Sequence, residues 1–127
     1  MDDIETLMID YVQFGRIFAD RWKAMNLADE IEDLPGGIDL YVRRLETRRA
    51  CPEEGEDVAA MLPRQLQAVR KATLAAKDAA DPTSGERISL DKKLNDIGEL
   101  CRAWQKLSAL RGSILDRKAA RMLCEPD

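Results

Sequence analysis

The chain has 127 residues, of which 35% are charged and 45% hydrophobic, with a formal net charge of −4. That is the length of one domain, able to bury a core without covalent staples, and too apolar for disorder to be the default. The small negative charge argues against wholesale coating of nucleic acid. Three cysteines without histidine or a CxxC spacing argue against a disulfide framework or a zinc site, and no cofactor is expected.

The opening Met-Asp-Asp lacks the basic and apolar regions of a signal peptide, and no apolar run approaches the ~20 residues of a membrane span. The expectation is a cytoplasmic protein that does not enter the membrane. Charge is uneven along the chain. Asp2, Asp3, Glu5, Asp10, Asp20, Asp29, Glu30, Glu32 and Asp33 dominate the first part, and Arg102, Lys106, Arg111, Arg117, Lys118 and Arg121 the last. An acidic head and a basic tail can attract each other, within one chain or between two.

The first helix spans about 3–25. Asp2 with Glu5 three residues on resembles a capping box. Ile4, Leu7, Met8, Tyr11, Phe14, Phe18, Trp22 and Met25 recur at three and four, forming one apolar stripe that reads as core. Gly15 interrupts this stripe at a cost of about 1 kcal/mol relative to alanine. Its use would be to admit a second helix, either the alanine-rich third helix or the fourth around Trp104. Ile9, Val12 and Ile17 fall off the stripe, so a second surface is expected to cover this helix. They are the candidate interaction residues.

Leu27 to Leu34 is acidic and aperiodic, and Pro35-Gly36-Gly37 breaks the chain. A second helix over about 38–49 places Ile38, Tyr41, Val42 and Leu45 on one face and Arg43, Arg44, Arg48 and Arg49 elsewhere. Cys51-Pro52 ends it, and Glu53-Glu54-Gly55-Glu56-Asp57 is an acidic loop or the start of the next helix. The third helix, about 57–80, is expected to break at Pro63, because proline harms a helix interior. Its longer part carries Leu66, Val69 and Leu74 among many alanines. Asp81 to Gly85 is a turn.

The fourth helix starts at Ser84 or Ser89 and carries Leu90, Leu94, Ile97, Leu100, Cys101, Trp104, Leu107 and Leu110 on one face. Continued winding puts Arg111 in the middle of that face. Gly112 suits a C-terminal cap, and Ser113 with Asp116 suits a fresh N-cap. The favoured reading is therefore a helix over 89–111 and a separate one over 114–123. The other reading is one continuous helix with Arg111 facing a partner. No period-two pattern persists. The fold expectation is an all-α, compact, single-domain bundle of four to five helices over 1–127, with an oligomer a natural outcome.

Without histidine, Ser-His-Asp and Cys-His catalysis are excluded, and no phosphate-binding glycine loop occurs. Two acidic clusters, Glu53-Glu54-Glu56-Asp57 and Asp96 with Glu99, are the only carboxylate sets worth testing. Helical nucleotide pyrophosphohydrolases hold Mg²⁺ through such side chains, because a hard cation takes oxygen ligands. The plainer reading is solvated surface, with no metal bound and no enzyme. The basic residues Arg102, Lys106, Arg117 and Arg121 would line up on a continuous helix, and with Arg43, Arg44, Arg48 and Arg49 could contact phosphates. Asp57 to Leu62 has the opening rhythm of a helix-turn-helix, but Pro63 follows and no glycine-bearing turn leads into a recognition helix.

The segment Arg64-Gln65-Leu66-Gln67-Ala68-Val69-Arg70 and the helical hairpin after it resemble phage small terminase subunits and small phage assembly chaperones. The resemblance covers about half the chain and implies a compact, cytoplasmic, often oligomeric helical protein. The functional expectation is a non-enzymatic bundle acting through protein–protein contact, as adaptor, assembly factor or inhibitor; the surplus apolar positions Ile9, Val12, Ile17, Leu40 and Leu115 motivate it. A nucleic-acid-binding role in DNA packaging is the alternative, and a Mg²⁺-dependent hydrolase the third.

Overall fold

The computed structural model describes residues 3–25, 27, 37–47 and 51–124. Four helices run in order: α1 Asp3–Met25, α2 Gly37–Glu46, α3 Glu56–Ala79 and α4 Gly85–Cys124. No strand occurs among the described residues, and none of their helices is long and apolar enough to cross a membrane. The fold is an all-α bundle, and α4 is its spine. α1 and α3 both pack along α4, α2 packs on α1, and α2 touches α3 only lightly.

The chain forms these helices largely where hydrophobic periodicity places them. On α1, Tyr11, Phe18 and Trp22 are buried, and Leu7, Met8, Phe14 and Met25 pack against the same core. All four residues of the α2 apolar face, Ile38, Tyr41, Val42 and Leu45, are buried. Trp104 of α4 is the hub. Its ring lies 5.3 Å from that of Phe18 and 6.3 Å, edge-on, from that of Tyr41. Three helices thus meet at one aromatic cluster, an arrangement that contributes beyond simple area burial.

α1 and α4 are antiparallel. Arg117 of α4 pairs with Asp3 at 2.8 Å, and Arg21 of α1 pairs with Glu99 at 2.6 Å. The first of these joins the acidic head to the basic tail within one chain. Both pairs are exposed, so each adds at most about 1 kcal/mol and mainly fixes register.

α3 is one helix, not two. Pro63 lies inside it. Its missing N–H leaves the Ala59 carbonyl without its usual donor. Pro63 is exposed while Val58, Leu62, Leu66 and Val69 are buried, so the defect falls on the solvent side and packing carries the helix through. The same continuity removes a helix-turn-helix at Asp57–Leu62, since no turn follows. Leu74 faces outward, and Thr73 takes the buried position, its hydroxyl donating to the Val69 carbonyl at 2.7 Å.

The α3–α4 turn is built locally. The Asp81 side chain accepts the Thr83 N–H at 3.0 Å and the Thr83 hydroxyl at 2.9 Å, and Ser84 accepts the Arg87 N–H at 3.4 Å. Ser84 therefore caps α4, which begins at Gly85 instead of residue 89. Between 74 and 96 no residue is buried, so the hairpin end projects as a two-helix arm, with Lys77 paired to Asp91 across it.

α4 also overturns the favoured stop at Arg111 and the separate helix over 114–123. It runs unbroken for 40 residues, or ~60 Å at ~1.5 Å per residue. Gly112 sits inside it with open space around its Cα, so nothing demands glycine there and nothing requires a cap. Leu107 and Ile114, on either side of the expected break, are both fully buried. Their packing outweighs the ~1 kcal/mol that Gly112 costs. α2 is described as far as Glu46, with Thr47 closing the turn by donating to the Arg43 carbonyl at 3.1 Å, and the expected end at 48–49 lies outside the described residues. The expected capping box at Asp2 and the acidic stretch 28–34 lie outside the described residues.

Gly15 admits a helix, but the visitor is α2, not α3 or α4. A Cβ there would stand 2.7 Å from Leu45 Cδ2, and Leu45 is only 2% exposed. Gly55 precedes α3 with φ +86°, and a Cβ there would meet the Tyr41 ring at 2.5 Å. It is required on both counts, as left-handed backbone and as a close approach.

Gly15→Val should destabilise the fold by about 2 kcal/mol through overpacking. Combined with Leu45→Ala, its cost should fall by about 1 kcal/mol in a double-mutant cycle read by urea melts. Strict additivity would contradict the crossing. Gly55→Ala should cost about 3 kcal/mol from backbone strain and ring contact together. A loss below about 0.5 kcal/mol would show that the loop can reshape.

Candidate interaction surface

α1 has two apolar faces. The inner one is the core stripe. Ile9, Gln13, Arg16, Ile17 and Asp20 occupy the outer one, with Met8 and Val12 half-buried along its edge, and together they line an open groove. Ile9 is 55% exposed and Ile17 43%. Scattered exposed apolar residues need no explanation, but branched side chains repeated along one helix face do. Ile9, Val12 and Ile17, singled out by their off-stripe positions, thus stand on or beside one face that the described chain leaves open. Gln13, Arg16 and Asp20 belong to the same face. Gln13 lies four residues from both Ile9 and Ile17, Arg16 three from Gln13 and Asp20 three from Ile17, and that helical spacing is the signal that would have found them.

The other surplus apolar positions do not join this face. Leu40 is exposed on α2, beside the 53–55 loop and the first residues of α3, and Leu115 is half-buried on α4.

Continuous winding places Arg102, Lys106, Arg117 and Arg121 on one side of α4, which is the side that meets α1. The Lys106 ammonium lies 4.5 Å from the centre of the Phe14 ring, and Arg117 is the partner of Asp3. Arg102 and Arg121 are exposed. On α2, Arg43 is exposed and Arg44 is paired with Glu54. Arg48 and Arg49 lie outside the described residues.

Three acids of the two clusters, Glu53, Glu54 and Glu99, are tied to cations. Glu53 accepts from Lys118 at 2.7 Å, which together with a backbone hydrogen bond holds its carboxyl below the usual carboxylate range. Glu54 pairs with Arg44, and Glu99 with Arg21. No set of three or more candidate metal ligands converges among the described residues.

Arg111 completes this pattern. It projects into the junction of α1, α2, α4 and the 51–55 loop, donating from Nε to the Glu54 carbonyl at 3.2 Å. Beside it the hydroxyls of Tyr11 and Tyr41 bond to each other, buried. Burial raises both phenols above the ordinary tyrosine range, and the Arg111 charge opposes part of that rise. The contact joins residues far apart in the chain. Its only trace in the sequence is a cation in the middle of an apolar helix face.

Comparisons with protein-family models, with curated proteins and with solved structures returned no match.

A group whose folded pKa is raised contributes stability that is complete below its unfolded pKa and is lost as pH climbs toward the folded value. Tyr11 and Tyr41 are the chain's only tyrosines, so tyrosinate absorbance reads this pair alone. Neither should ionise at the ordinary tyrosine value near 10.0. Stability should instead decline above about pH 10, and the pair should titrate together with unfolding. The Tyr11→Phe, Tyr41→Phe double variant should lose that alkaline slope. Reversible titration near pH 10 in the folded chain would contradict the buried pair.

Proposed function

We propose that the protein is non-enzymatic and works through protein–protein contact at the outer face of α1, as an adaptor, assembly factor or inhibitor. The observation that carries this reading is the exposure of Ile9 and Ile17 on one face of a helix whose opposite face is core. Branched apolar side chains next to polar and charged neighbours are what a partner can desolvate. The chemistry available elsewhere supports the same choice. Histidine is absent, and the acids Glu53, Glu54 and Glu99 are each committed to a cation.

A nucleic-acid-binding role in DNA packaging, as in a phage small terminase subunit, is the second reading. It draws on the basic residues of α2 and α4, Arg43, Arg44, Arg102, Lys106, Arg117 and Arg121, and a phosphate would have to compete with internal partners such as Glu54 at Arg44, the Phe14 ring at Lys106 and Asp3 at Arg117.

Ile17→Glu tests the first reading. A substitution on an open face should move stability by no more than about 0.5 kcal/mol, leaving the circular dichroism and the melt unchanged. Any complex that the wild-type chain forms, sized by light scattering, should be lost. If Ile17→Glu unfolds the domain, the face is internal and the reading fails. The same holds if every association survives the change.

A further inference from the structure

We infer that the arm formed by residues 74–96 is a hinged unit that opens and recloses while the bundle stays folded, with its pivots at Thr73 on α3 and Gly98 on α4.

The core stops at the same end of both helices. Thr73 is the last buried residue of α3 and Ile97 the first of α4, and none of the described residues 74–96 between them is buried. The arm shelters little apolar surface. Ala80, Leu90 and Leu94 are half-buried, whereas Leu74 and Ile88 are exposed. Lys77 pairs with Asp91 across it, a partly exposed contact of the kind that holds weakly. Ordering a residue costs as much chain entropy in the arm as in the core. A segment that buries less is therefore less stable than the bundle that anchors it.

The arm is helical for two local reasons. Its helices continue turns already wound in the bundle, which removes the cost of nucleation. Ala75, Ala76 and Ala79 also have the best helix propensity. The Lys77–Asp91 pair and the turn closed by Asp81 link its two helices, so they unwind together.

Both helices are weak where they leave the core. The Thr73 hydroxyl donates to the Val69 carbonyl at 2.7 Å, a back-bond that loosens and bends a helix. Gly98 stands inside α4, one residue beyond Ile97, where glycine lowers helix stability relative to alanine. Packing does not demand it. A Cβ there would meet only the end of the Arg102 side chain, at 3.8 Å. A glycine with room for a methyl, beside the first buried residue of α4, serves as a joint and not as a close crossing.

Native-state hydrogen exchange at rising urea tests this. The amides of Ala76, Lys77, Leu90 and Asp91 should share one opening. It should be about 100-fold more frequent than the opening that exposes Leu107, with a shallower urea dependence, because a small unit exposes little surface. Gly98→Ala should raise the protection of these four amides about fivefold, the size of the glycine-to-alanine difference in a helix. Leu90→Pro breaks α4 inside the arm. All six aromatic residues lie outside 74–96, so near-ultraviolet circular dichroism reads the bundle alone. In Leu90→Pro that spectrum should persist while the far-ultraviolet helical signal falls.

Arm amides that match Leu107 in protection and in urea dependence overturn the inference. So does a Gly98→Ala chain whose arm opens as often as the wild type. Loss of the near-ultraviolet spectrum in Leu90→Pro would show that arm and bundle are one cooperative unit, and would overturn it as well.

Discussion

The contact on which the architecture turns is that of Arg111 with the Glu54 carbonyl, next to the paired phenols of Tyr11 and Tyr41. A guanidinium on the inner face of a helix is costly unless it is hydrogen-bonded. Here α2, the 51–55 loop and α4 are arranged so that it is. Arg44 and Lys118 pin Glu54 and Glu53 from either side, so the loop that receives Arg111 is itself held in place. Gly55 makes the last turn of that loop against the Tyr41 ring. With Arg111 accommodated, α4 continues without interruption, and Ile114 beyond it reaches the core.

An unbroken α4 decides what α1 presents. The two helices run antiparallel along most of α1, from Asp3 beside Arg117 to Arg21 beside Glu99. α2 takes the remaining inner surface by crossing at Gly15. One side of α1 is thereby consumed by aromatic packing, and the other, with Ile9 and Ile17, is left facing out. The proposed function draws on this division. A helix that needed only a core stripe would carry polar residues at positions 9 and 17.

Hydrophobic period made the helix faces legible. The whole buried face of α2, the aromatic stripe of α1 and the series Ile97, Leu100, Trp104 and Leu107 on α4 can be read from spacing alone. Off-stripe Ile9, Val12 and Ile17 were legible for the same reason. Local breaker signals misled where tertiary packing outweighed them. Pro63 lies on the exposed side of α3, and Gly112 lies between the buried Leu107 and Ile114, so neither ends its helix. Gly15 advertised a close crossing without saying by which helix, since Leu45 gives no sign along the chain that it reaches there. The partner of Arg111 was hidden more deeply, because a backbone carbonyl has no signature in side-chain sequence.

Continuity of α4 through Arg111 is the claim from which the rest descends, and amide hydrogen exchange at Gly112, Ser113, Ile114 and Leu115 tests it most directly. In one unbroken helix these N–H groups bond to carbonyls four residues earlier, and each should be protected to a degree comparable with Leu107. A helix that stopped at Arg111 and restarted at Ser113 would leave the first amides of the new segment without partners. Rapid exchange at Ile114 and Leu115 would contradict the account.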